Sequence, residues 1–245
     1  MKKLSTIIII ILGMVYLSNA YGQKIMKLDN ELKANSKPME ATRKGISSVG
    51  KYEFGPYKII SGKAGWTTTK SNKRIFSFET QSESKKKSSF VFVANDKDTI
   101  LVNASTNAKF SETELGNMSW LNNRNENYVA VLNPAADTAA WRMILVSNSG
   151  EEIKGNFQAE GILTNGVTNI QIREIKQWED GKTPTFQMIC GYEFIMENKS
   201  IAAVQSYQKK FVWLLQDLDE RMKSLLAAAS ASLMVHTDDV MAALD

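Results

Sequence analysis

The sequence holds one cysteine and one histidine in 245 residues, and each scarcity closes off a class of chemistry. A lone Cys190 cannot make an intramolecular disulfide, so stability must come from a core that a chain this long can bury without covalent staples. Its neighbours alternate apolar and polar, and it reads as a small buried hydrophobe. A lone His236 cannot supply the histidine pairs of common zinc sites, and a metal would need an unusual carboxylate set. A Ser-His-Asp triad could draw only on His236, and no Gly-x-Ser-x-Gly sequence precedes it. These absences assign no catalytic, cofactor-binding or metal-ligating residue. His236, beside Thr237 and two aspartates, reads as a surface or capping residue.

Net charge is also scarce. The sequence carries 30 basic and 26 acidic residues, and setting aside Lys2 and Lys3 leaves a balance of +2. So small an excess gives no electrostatic case for nucleic acid or anionic lipid. No fixed-period repeat is present, which argues against a solenoid or propeller.

The N-terminus carries a positive pattern. Lys2 and Lys3 precede an apolar run from Ile7 to Leu17, followed by Ser18-Asn19-Ala20. That is the order of a secretory signal, with cleavage expected after Ala20. Eleven apolar residues fall short of the roughly 20 that span a bilayer. With no cysteine at the cleavage point, an acylated N-terminus is not expected. The expectation is an exported, soluble chain, periplasmic or extracellular, with no membrane span after signal cleavage.

Residues 21–50 read as a polar leader with a short helical period at Ile25, Leu28 and Leu32, then a linker. Residues 51–245 read as one β domain. Short apolar runs are punctuated by turn residues: Tyr57–Ile60, Trp66–Thr69, Arg74–Phe78, Phe90–Val93, Thr99–Val102, Tyr128–Leu132 and Trp141–Val146. Asn95-Asp96-Lys97-Asp98 supplies a hairpin turn. In Phe186–Met196, Phe186, Met188, Cys190, Tyr192, Phe194 and Met196 alternate along one face of a long strand, with Gly191 opposite, where a bulge or close packing suits it. Glu197–Ser200 turns the chain into Ile201–Gln205. About ten strands at this spacing predict a mainly β protein, an antiparallel barrel or sandwich.

From about residue 208 to 235 the period becomes helical. Phe211, Leu214, Leu215, Leu218, Met222, Leu225, Leu226 and Ala229 form one stripe. Ser224–Thr237 then carries no Asp, Glu, Lys or Arg, and its apolar or small residues on every side predict burial inside protein. Asp238 and Asp239 open a last short helical piece ending at Leu244. Many strands followed by such a helix resemble the tubby C-terminal-like domains, including the LURP-one-related proteins. The likeness spans about residues 52–235 and rests on element order and on Ile201–Val235. It implies a barrel with its own hydrophobic helix through the middle. Some members bind phosphoinositides through a basic pocket, but no position here matches that pocket and no functional residue is carried over.

Four features bear on function. Glu174, Glu179, Asp180 and Glu193 could furnish the paired carboxylates of a glycan hydrolase, although scattered acids usually face solvent. Lys85-Lys86-Lys87 reads as a solvated hairpin loop that discourages edge aggregation. Gly116–Asn127, with Trp120 among asparagines, reads as a long loop able to contact a sugar. Asn103, Asn117 and Asn198 head Asn-x-Ser sequons. The resulting expectation is an exported β-domain protein that binds or builds, with an envelope protein or a glycan as partner. The alternatives are a secreted glycan hydrolase and a lipocalin-like carrier, the latter only if the helix leaves the lumen free.

Overall fold

Strand-forming residues with alternating inward side chains fold here into a closed wall. The computed structural model describes residues 24–45, 49–65, 67–73, 79–115, 118–135, 137, 139–148, 160–184 and 189–242. Its strands are β1 (Met39–Lys44), β2 (Lys51–Phe54), β3 (Tyr57–Ala64), β4 (Thr68–Lys73), β5 (Glu79–Ala94), β6 (Asp98–Leu115), β7 (Met118–Pro134), β8 (Trp141–Asn148), β9 (Glu160–Thr164), β10 (Asn169–Ile175), β11 (Gly191–Met196), β12 (Lys199–Gln205) and β13 (Lys210–Leu214). Two helices accompany them, α1 (Asn30–Ala34) and α2 (Glu220–Met241).

Every strand except β3 pairs antiparallel with the next, β13 returns to β1, and β3 skips β4 to pair with the lower half of β5. That last pairing closes a twelve-strand barrel, and β4 extends the sheet along the upper half of β5. Type I′-like turns with positive φ at Asn95–Asp96 and at Glu197–Asn198 join β5 to β6 and β11 to β12. The mainly β fold and both hairpins agree with the sequence pattern.

An eight-strand barrel is filled by its own side chains, whereas twelve strands leave room for more. Helix α2 takes that room. Every residue from Ser224 to Thr237 is buried, and α2 touches β3, β5, β6, β7, β12 and β13. The small side chains of Ala227, Ala228, Ala229, Ser230 and Ala231 let a cylinder of about 10 Å fit between facing walls. Phe92, Val102, Leu132, Met143, Leu163, Ile172, Phe194 and Val204 point inward around it. The lumen is therefore occupied by α2 along Ser224–Thr237.

Several boundaries differ from the sequence expectation. Met39–Lys44, expected in a linker, is barrel strand β1. Ahead of it, Met26, Leu28 and Leu32 are buried, and α1 packs on β12 and β13. That outer cover explains why β12 and β13 are buried on both faces. A strand covered on both sides loses its alternation, so Phe211–Leu215 imitates a helical stripe; the chain is β13 through Leu214, Leu215 bridges to Ser36, and α2 begins only at Glu220. Asp219 caps α2 by accepting from the Met222 N–H at 2.8 Å. The helix runs unbroken past Asp238 and Asp239 to Met241.

The strand expected over Phe186–Met196 begins at Gly191, and residues 185–188 lie outside the described residues. Gly191 does mark close packing, since an added Cβ would sit 2.0 Å from the Val204 carbonyl oxygen. A register shift follows at Phe194/Ile195. The expected strand Arg74–Phe78, the residues before Lys24 and sequon Asn117 also lie outside the described residues. Among the described residues no helix is long and apolar enough to cross a membrane.

Candidate functional site at the barrel mouth

Strands β5, β6 and β7 run 16, 18 and 17 residues. At about 3.3 Å per residue they reach roughly 55 Å, far past the five- to eight-residue strands beside them. Their overshoot builds one side of a mouth, and the last turn of α2 arrives there. That turn carries Asp238 and Asp239 and no basic residue. Carboxylates near a helix C-terminus face the negative end of the macrodipole, so the barrel wall must supply cations.

It does so from three strands. Lys210 of β13 lies 3.0 Å from Asp238, and Arg43 of β1 lies 3.7 Å from it. Tyr52 of β2 donates its hydroxyl to the same carboxylate. Burial, followed by that carboxylate, pushes the Tyr52 hydroxyl far above its ordinary value, so it remains a donor. Lys86 of β5 holds Asp239 at 2.5 Å. Burial raises the Asp239 carboxyl above the usual range, and Lys86 opposes that shift.

His236 is buried at the same level, which corrects its expected place on the surface. Its Nε2 lies 3.1 Å from Glu126 Oε1 of β7, and both side chains are more than nine-tenths buried. That separation puts the imidazole within ion-pair range of the carboxylate. Thr106 Oγ1 of β6 lies 3.5 Å from Nδ1. The imidazole stacks on Tyr128, with centroids 4.1 Å apart. Burial raises the Tyr128 hydroxyl, which bonds Ser232 at 2.6 Å.

Above these groups is a partly open cavity of about 250 Å³ lined by Thr67, Ser84, Lys86, Thr106, Glu126 and His236. Asp239 contributes a further charge, and Ala108, Val240 and Ala242 contribute carbon surface.

Hydroxyl, imidazole and carboxylate thus stand in the order that nucleophilic hydrolases use. The second requirement, free backbone N–H groups aimed at an oxyanion, is not met among the described residues. Thr106, Ala108, Glu126 and Ser84 all sit within paired strands whose backbone groups belong to the ladder.

The acids named from sequence do not converge. Glu193 is buried on the outer face of β11, paired with the exposed Arg173 and accepting from Ser200. Glu174 sits on the opposite face of the sheet, 3.9 Å from Lys176. Glu179 pairs with Lys33, and Asp180 accepts from the Lys182 N–H. No two of these four form a catalytic pair.

The Lys85–Lys87 run lies within β5 rather than in a loop: alternation sends Lys86 into the mouth, while Lys85 and Lys87 face out. Gly116–Asn127 is mostly β7, not a loop. Asn103 is exposed on β6 and Asn198 forms a turn. Cys190 is buried, and burial pushes its thiol up to about 12, which makes it a poor nucleophile.

Compared with known proteins, the chain matches no family model, no curated sequence and no solved structure. Function must therefore be argued from the mouth itself. Its decisive residues escaped the sequence reading. Glu126 lies 110 positions from His236, and its only signal was parity: it continues the inward row of Tyr128, Ala130 and Leu132.

Proposed function

We propose that this is an exported, non-catalytic barrel protein that works by binding at its mouth. One observation carries the reading. The lumen is closed by the chain's own helix, while the rim at His236 keeps a cavity whose ionised groups are each held by a partner. A glycan hydrolase that works through paired carboxylates needs one of them free to exchange a proton with substrate. Here Asp239 is held by Lys86, and Glu126 by His236.

The Lys2–Ala20 pattern supports export. The outer wall supports solubility, because Lys85, Lys87, Asn103, Arg142, Gln171 and Arg173 face out among a few exposed aliphatics such as Ile144. A membrane barrel instead presents a continuous apolar belt. A twelve-strand wall around a central helix is also what supports kinship with tubby C-terminal-like barrels.

The test is a thermal-shift screen of the chain from Tyr21 onward against small metabolites and oligosaccharides. Ala242→Trp, at the exposed rim, should abolish the hits by blocking the cavity, and Ile144→Gln on the outer wall should leave them intact. The reverse pattern places the function on the outer wall. Turnover of any hydrolase substrate that disappears in Glu126→Gln would overturn the non-catalytic part. Mass spectrometry of the exported chain should give an N-terminus at Tyr21.

A further inference from the structure

The chemistry of the mouth narrows the ligand. The charged groups lining it each face a partner from within the protein: Lys86 faces Asp239 at 2.5 Å, and Glu126 faces the His236 imidazole at 3.1 Å. Just behind them, Asp238 is answered by Lys210 and Arg43. An anionic ligand would have to draw Lys86 from Asp239, leaving a half-buried carboxylate against a helix C-terminus. A cationic ligand would have to draw Glu126 from His236 or Asp239 from Lys86, stranding a buried partner. Separating such pairs costs more than a solvent-facing ligand charge recovers.

The uncommitted polar groups are hydroxyls. Among the described residues, Thr67 and Ser84 have no hydrogen-bond partner in the protein, and Thr106 reaches only the long contact to His236. A hydroxyl both donates and accepts, so three of them match a ligand that does the same. Such a ligand replaces water at these positions with little enthalpic loss. Ala108, Val240 and Ala242 provide carbon surface for its C–H face. At about 250 Å³ the cavity lies below the roughly 300–1,000 Å³ of sites for drug-sized molecules, which limits the ligand to a single ring.

We infer that the mouth binds a small uncharged polyhydroxyl molecule of monosaccharide size. This rests on the mouth being the working surface.

The test is an NMR titration of the chain from Tyr21 onward, with Ala and Val methyls labelled. D-xylose and D-glucose are the neutral probes; acetate, inorganic phosphate and ethylammonium are the charged ones. The sugars should give saturable shifts at Ala108, Val240 and Ala242. Ser84→Ala should weaken their binding about fivefold with the rest of the spectrum unchanged, and Thr67→Val, on an exposed side chain, should do likewise. Tighter saturation of the mouth by a charged probe overturns the ligand class and leaves the mouth as the binding surface. No saturable shift at the mouth with any probe, or shifts confined to Val129 and Ile144 environs, overturns both readings.

Discussion

Gly191 and Gly161 show how differently two glycines at close contacts constrain this barrel. A Cβ at Gly191 would meet the Val204 carbonyl oxygen at 2.0 Å and the Gln205 Cα at 2.8 Å, both backbone. At Gly161 the nearest atom is the Leu145 Cδ2 at 2.2 Å, the end of a side chain that can rotate, although Ile144 O stands at 3.1 Å. Gly191→Ala should therefore cost about 3 kcal/mol or more, and Gly161→Ala nearer 1 kcal/mol. Urea unfolding of the two variants checks the order.

At Asp239 the prediction concerns pH. Its folded-state carboxyl titrates above the ordinary 3.8 because burial disfavours the anion. The folded state then binds the proton more tightly than the unfolded chain. This residue's contribution to stability is full below 3.8 and is lost as pH rises through the raised value. Asp239→Asn removes that dependence. Wild type should gain on the variant as pH falls from about 7 toward about 4, as read by denaturant midpoints. A gap that widens in the opposite direction would mean that Lys86 dominates over burial.

At the scale of the element, α2 is the part least free to change. Ala228, Ala229 and Ala231 have no exposed surface, and the wall around them is continuous. Ala229→Leu should destabilise by about 3 kcal/mol through overpacking, whereas the same exchange on an exposed helix would be nearly neutral. A thermal melt distinguishes the two cases.

This helix was also the most legible element, because a segment with no charge on any face can only be buried. Strands open to solvent on one side, such as Trp141–Val146, were legible for the equivalent reason at period two. Where the pattern failed, the burial was two-sided or absent. Phe211–Leu215 is covered by α1 outside and α2 inside, so nothing alternates. Ser82–Lys87 is polar on both faces because β5 has there left the barrel wall, and a polar run imitates a loop. The mouth was illegible for a different reason. Its groups come from β1, β2, β5, β6, β7, β13 and α2, and a single histidine gives no spacing with which to find its partners.

For the whole molecule, closure and filling are one event. The β3–β5 pairing closes a ring whose interior is apolar, and without α2 that interior has no contents. Deleting residues from Glu220 onward should therefore abolish cooperative unfolding altogether rather than lower the midpoint, as seen by circular dichroism in urea. A deletion variant that still melts in one sharp transition would show that the wall holds itself up.

The position of α2 in the chain gives this dependence a direction in time. The plug is encoded after every strand, so as the chain emerges from its N-terminus the wall segments are all present before anything exists to close around. Until about Val235 has cleared the ribosome, no subset of the chain has a complete core. Folding of the barrel is thus deferred to the end of synthesis, a timing that fits the export proposed above.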